Sequence, residues 1–263
     1  MGMTISSAFE MEFKVYEGGN PDKPLGLNRL QYTNLELLDY DLELMLDLMD
    51  SLRDSEIPVE LFNNEYDRGQ YEITMQPRPG LESPDSVFLS KYAIRSFLRR
   101  RGHEATFMAR PTYIDYASGF HFNHSIWDTD GKDVFFDEND SKHFSSFARH
   151  WVAGLMKHTP ALTALYCPTV NCYHRFSSGL APNKVYWNFD DRLCTYRAKS
   201  SATGAYLENR LPSSACNPHL VLAATIAAGK QTTRLIVFLI SLLCCIGKIK
   251  FNVLISEVYT VLK

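Results

Sequence analysis

The chain has 263 residues, 30 acidic against 27 basic side chains for a formal charge of −3, and 45% hydrophobic and 22% charged residues. That balance excludes a disordered, collagen-like or coiled-coil chain, and it excludes a surface dedicated to nucleic acid, because phosphate contacts need net positive charge. The six cysteines start at Cys167 and include no C-x-x-C, so the expected setting is reduced and cytoplasmic, without a disulfide framework.

The first residues, MGMTISSAFEMEF, have no basic head followed by an apolar stretch and do not read as a secretory signal. Phe9, Met11, Phe13 and Val15 alternate with Glu10, Glu12 and Lys14, which predicts a strand with one apolar and one charged face. A strand this close to residue 1 reads as a domain entered partway through. GGNPDKP then reads as a turn. Residues 34–53 carry Leu42, Met45, Leu46, Met49 and Leu52 at three/four spacing, predicting an amphipathic helix.

A second strand is predicted over 69–75, followed by the proline-rich loop QPRPGLESPD. Ser83 or Asp85 is a candidate cap for a helix ending at Gly102. Short strands are expected at 105–109 and 119–127, and a helix at 144–157, with Pro160 limiting it. Asn217 as N-cap, Pro218 as first residue and Gly229 as stop predict a helix over 218–228. Strands and helices alternate without βαβ regularity, so the expected class is α+β. The apolar run 235–246 is shorter than the ~17–25 residues of a membrane span, so no membrane association is expected.

The chemistry-bearing residues are carboxylates on strands. Glu10 and Glu12 share a face, about 6.5–7 Å apart. Glu72 shares one with Gln70 and Thr74, and Glu65 lies seven residues earlier across a turn at Asp67-Arg68-Gly69. His121 shares a face with Asn123 and Ser125, and Glu208 with Arg210. On a strand, His121 and His124 point to opposite faces. Carboxylates with one imidazole suit hard cations such as Mg2+ or Mn2+ and not zinc. Each glutamate taken alone reads as a solvated outer-face residue, and His121 alone as a structural histidine. Gly229-Lys230-Gln231 is not a P-loop, since Ser or Thr and the upstream glycine are missing.

EMEF, EYDRGQYE, SGFHFNHSIW, DRLCTYR and LENRLPSSACNPHLVLAATIAAG, in that order, resemble the glutamine synthetase catalytic domain over residues 9–229. The stretches WVAGLMKHTPALTALYCPTVNCYHRF and NPHLVLAATIAAG are most similar to its lengsin branch, regarded as non-catalytic. The resemblance implies a curved, mainly antiparallel sheet backed by helices, with ATP as co-substrate and Mg2+ or Mn2+. It also implies glutamate plus an amine or ammonia as substrates and a ring homo-oligomer. It assigns Glu12, Glu65 and Glu72 to one metal, and Glu10, His121 and Glu208 to another. Arg192 and Arg197 are assigned to the transferring phosphate and ATP, Arg175 and Arg210 to the glutamate, and Ser125 and Trp127 to the nucleotide. Arg192 and Arg197 differ in strand parity, so a turn or bulge between them is expected if both point inward.

Three positions depart from the family pattern. Leu180 in RFSSGLAP stands where the family has a glutamate that helps deprotonate ammonium. Tyr116-Ala117 replaces an Asn-Gly pair that contacts glutamate, and Tyr206 replaces a basic nucleotide contact. The small N-terminal β-grasp domain of the family has no counterpart in residues 1–229, which read as an incomplete catalytic domain. Residues 230–263 read as a divergent hydrophobic tail. These departures point to weak or lost ammonia ligase activity, with a structural or chaperone-type role of the lengsin kind as the rival expectation.

Overall fold

The computed structural model describes residues 2–26, 32–34 and 39–230. The apolar run 235–246 and the tail 231–263 lie outside them. The alternating N-terminal segment forms one long strand, β1 (Met3–Glu17), at the centre of the sheet. Phe9, Met11, Phe13 and Val15 are fully buried on its apolar face. Along one edge β1 pairs antiparallel with β3 (Gln70–Met75) and β4 (Arg78–Pro79), and β2 (Val59–Asn64) pairs with β3. It also pairs antiparallel with β5 (His103–Thr106) and β6 (Phe120–Asp128). The path continues through β9 (Gly204–Asn209) and β8 (Tyr196–Ser201) to β7 (Trp187–Phe189), and only β7–β8 is parallel. The result is the expected mainly antiparallel sheet backed by helices.

The helices are α1 (Leu42–Asp54), α2 (Glu82–Arg99), α3 (Ser146–Tyr166), the short α4 (Val170–His174) and α5 (Pro218–Gly229). Their apolar stripes close one core: Met45, Leu48, Met49 and Leu52 from α1, Val87, Ile94 and Leu98 from α2, and Val152, Leu155 and Leu162 from α3. Asn217 caps α5 as expected, accepting from the backbone N–H groups of His219 and Leu220.

Several expected boundaries are corrected. The helix predicted over 34–53 starts at Leu42, because the chain turns at Tyr40 and Asp41. There the Asp41 carboxylate accepts from the buried Tyr71 hydroxyl at 2.5 Å and leaves the helix start without a side-chain cap. Neither Ser83 nor Asp85 caps α2: both lie within its first turn, and Asp85 instead meets His219 at 2.7 Å. The strand expected at 105–109 ends at Thr106.

Pro160 does not limit α3, which continues to Tyr166. A proline inside a helix forfeits one hydrogen bond and costs about 3 kcal/mol. Around this one, Thr159 donates to the Leu155 carbonyl and shares a hydrogen bond with the Tyr196 hydroxyl. Burial of Leu162, Leu165 and Tyr166 beyond the proline outweighs its cost.

Lys14, on the charged face of β1, is among the most buried side chains. Its ammonium sits 2.8 Å from Asp67 and 2.6 Å from Asp115. Asp67 also accepts from the Tyr116 backbone N–H, and Asp115 from that of Thr112. This triad pins the loop after β5 and the β2–β3 turn to the central strand. Replacing one member strands the charges of the others in a low dielectric. Lys14→Met should therefore lower unfolding free energy by about 3–5 kcal/mol in urea titrations; a loss no larger than for a surface lysine would refute the structural role of the triad.

Candidate metal and nucleotide cleft

The charged face of β1 forms the floor of a cleft of about 560 Å³. Strand register brings the carboxylates together: Glu12 lies opposite Glu72, and Glu10 opposite His121. Asn123 pairs with Glu208, which in turn faces Arg197 of β8. Glu65 arrives from the β2–β3 hairpin, closed by Glu65 N–H to the Gln70 carbonyl and Gln70 N–H to the Asp67 carbonyl. That turn requires Gly69, whose φ is +67° and where a Cβ would sit 2.7 Å from the Val15 carbonyl oxygen.

Glu10, Glu72 and His121 each offer a ligand atom within 4.8 Å of the other two. The His121 Nδ1 is 2.9 Å from Glu10, and Asn123 donates to the second Glu10 oxygen at 2.9 Å. Glu12 accepts from Gln70 at 3.0 Å. Asn63 and the Tyr66 backbone N–H donate to Glu65 at 3.4 and 3.3 Å. Glu208 lies 3.5 Å from the His121 Nδ1, and Arg197 donates to one of its oxygens at 3.0 Å and Arg210 to the other.

Like charge in this space controls protonation. Burial raises the Glu65 pKa, and neighbouring Glu12 adds to it, to about 8. Burial, then Glu10, Glu12, Glu65 and Glu208, push Glu72 well above the ordinary carboxylate range. Burial also opposes charge on Glu10, but hydrogen bonds and attraction from His121, with help from Asn123, outweigh it and lower its pKa to about 2. The donor set of carboxylates and one imidazole, with two carboxyls driven to hold protons for want of positive charge, fits a hard divalent cation.

Arg192 lies exposed in the turn between β7 and β8, and Arg197 at the start of β8. Arg197 also pairs with Asp190 at 2.9 Å. Arg175 is buried, donating to the carbonyls of Leu211 and Arg210 at 2.8 and 2.9 Å, with its guanidinium edge at the cleft. Leu180 and Ala117 line the same cleft. Ser125 and Trp127 line a second cavity of about 410 Å³, where Tyr206 and Lys199 also lie, and Lys199 faces both. His124 points away into the core, where Trp151 donates to its Nε2 at 3.0 Å and burial lowers its pKa to about 4.

Sequence reasoning missed Asn63, Tyr32 and Tyr66 as cleft residues, and Asp190 in the second cavity. Asn63 was findable, being two residues before Glu65; Tyr32 reaches the site only through tertiary contacts.

This arrangement of a curved sheet and a carboxylate-lined cleft belongs to a known class. The profile of the glutamine synthetase catalytic domain matches residues 1–232, so the chain belongs to the glutamine synthetase family. It is 34% identical over 205 residues to the glutamine synthetase of Methanococcus voltae, covering 77% of this chain and 46% of that protein. It is 32% identical over 238 residues to human lengsin, covering 87% and 45% respectively. A solved structure described as a GmaS/ADP complex has the same fold, with a TM-score of 0.78 and 26% identity over 87% of this chain and 54% of that one. The chain thus spans about half the length of the curated relatives it matches. No described helix is long and apolar enough to cross a membrane, and Cys167, Cys172, Cys194 and Cys216 are free thiols.

Two predictions follow from the packing of charge. Unfolded, Glu65 and Glu72 ionise near 4.5, whereas in the metal-free fold Glu65 retains its proton to about pH 8 and Glu72 is likewise raised well above its ordinary range. The fold therefore binds more protons than the unfolded chain in that window, and its stability falls as pH rises from 4.5 to about 8. Glu72→Gln should raise the melting temperature of the metal-free protein at pH 8, by roughly 2–4 °C per kcal/mol recovered, and remove most of the stabilisation by Mn2+. An unchanged Mn2+ response would refute a metal site at Glu72. At Gly119 a Cβ would lie 2.7 Å from both Glu12 Oε1 and His121 Nε2, side-chain ends that can shift. Gly119→Ala should thus spare the fold by circular dichroism yet weaken Mn2+ binding at least ~10-fold in calorimetry, in line with loss of ligand orientation.

Proposed function

We propose that this chain is a glutamine-synthetase-type ligase domain that uses ATP to join the γ-carboxylate of glutamate to an amine. The observation that supports this best is the convergence of Glu10, Glu12, Glu65, Glu72, His121 and Glu208 in one cleft facing Arg197 and Arg210. Glu12, Glu65 and Glu72 would hold one divalent ion, and Glu10, His121 and Glu208 a second. Bound Mg2+ or Mn2+ would supply neutralisation of phosphate charge. Arg197 and Arg192 serve the transferring phosphate, Arg210 and Arg175 orient the glutamate end, and Ser125 and Trp127 line the way to the nucleotide. Transfer of the γ-phosphoryl group to glutamate yields ADP and an acyl phosphate. The neutral amine nitrogen then bonds to the acyl carbon as the C–O bond to phosphate breaks, and the proton it sheds leaves with the phosphate. The family's ring homo-oligomer and a cytoplasmic setting belong to this reading.

A second reading, a non-catalytic structural role of the lengsin type, draws on the 32% identity to lengsin and on Leu180 in the cleft. The filled ligand set favours the ligase. In thermal-shift measurements ATP should stabilise the protein only with Mg2+ or Mn2+. Arg197→Ala should lose the ATP response while keeping that to Mn2+, since charge-assisted contacts to phosphate are the strong ones. A metal-independent ATP shift of equal size would refute the nucleotide assignment. Metal-dependent nucleotide binding without phosphate release in the presence of glutamate and amines would favour the structural role.

A further inference from the structure

The cleft floor is anionic, but the wall beside Glu65 is aromatic and aliphatic. Tyr32 and Tyr66 stack with ring centroids 4.7 Å apart and planes 6° from parallel, and Tyr116 leans on Tyr66 at 5.6 Å. Leu61, Leu180 and Leu193 line the same cavity and are 55%, 40% and 57% exposed. Tyr66 follows Glu65 in the chain and its backbone N–H bonds to the Glu65 carboxylate, so ring and carboxylate are held side by side. Arg192 donates to the Tyr32 hydroxyl at 3.4 Å.

Exposed leucines around a cavity leave apolar surface that gains by leaving water. Aromatic faces next to carboxylates attract a cation through the ring quadrupole as well as by charge. A bare ammonium ion would meet the carboxylates and a ring face but leave the leucines wet. A cation joined to an apolar group satisfies both.

We propose that the amine taken by this cleft is an organic ammonium carrying an aromatic or long aliphatic group. Its nitrogen lies toward Glu65 and its apolar part against Tyr32, Tyr66 and Leu180. This rests on the ligase reading above and names its second substrate.

The test is calorimetry on the full chain loaded with Mn2+ and ATP, titrated with benzylammonium, hexylammonium, methylammonium and ammonium chlorides. Benzylammonium or hexylammonium should bind at least ~10-fold more tightly than methylammonium, the discrimination an apolar pocket supplies for a few extra carbons. Tyr66→Ala should weaken benzylammonium by ~2- to 30-fold and methylammonium by less, while Tyr66→Phe keeps the wild-type preference. Leu180→Glu should shift the preference toward ammonium. Equal affinity for all four amines, or equal weakening of all four by Tyr66→Ala, overturns the proposal. Binding of Mn2+ and ATP with no amine bound also overturns it and leaves the ligase cleft standing. Failure to bind Mn2+ overturns the ligase reading itself.

Discussion

Negative charge crowded onto one face of the central strand is the constraint around which this molecule is arranged. Glu10 and Glu12 rise from β1, and the antiparallel register sets Glu72 directly opposite Glu12. Like charges facing across a sheet repel, and burial deepens the penalty because the low dielectric screens them little. The fold does not disperse this charge. It lets two carboxyls keep protons, lets His121 and Asn123 hold Glu10 ionised, and places Arg197 and Arg210 on Glu208. A surface optimised for stability alone would not assemble such a set; a surface kept ready for cations would.

The supporting structure keeps that charge in place. Lys14 continues the same face of β1 but carries the opposite sign, and with Asp67 and Asp115 it forms a buried ionic anchor. From Asp67 the connection runs on: its backbone N–H donates to Gln70, and Gln70 donates to Glu12. A displacement of the anchor is thereby transmitted to a site carboxylate through two hydrogen bonds. Arg175 acts similarly from the other side, spending its donors on the carbonyls of Arg210 and Leu211. It thereby holds the segment that follows Glu208.

The two walls of the cleft differ in chemistry, which separates two kinds of ligand. Toward β8 and β9 the lining is cationic and hydroxyl-rich, with Arg197, Lys199 and the adjoining cavity of Ser125, Ser200 and Ser201. That side suits phosphate. At the β2–β3 hairpin the lining includes Tyr66 and Leu61, which suits apolar groups beside a carboxylate. The acidic floor is shared by both.

Much of this was legible in the sequence because strand periodicity is strict: alternation in 9–15 alone put Glu10 and Glu12 on one face, and His121 and His124 on opposite ones. The capping residues Asn217 and Pro218 marked α5 for the same local reason. The ordered motifs carried the family, and with it the mainly antiparallel sheet. Pro160 misled because a local penalty was weighed without the packing beyond it, and the burial of Lys14 was not legible because its partners lie more than fifty residues away. Thus the sequence by itself determined which residues of β1, β3 and β6 share a polar face. Only the tertiary structure decided which carboxylates meet, which keep their protons and that tyrosines wall one side, because those depend on strand register and burial, which no local pattern contains.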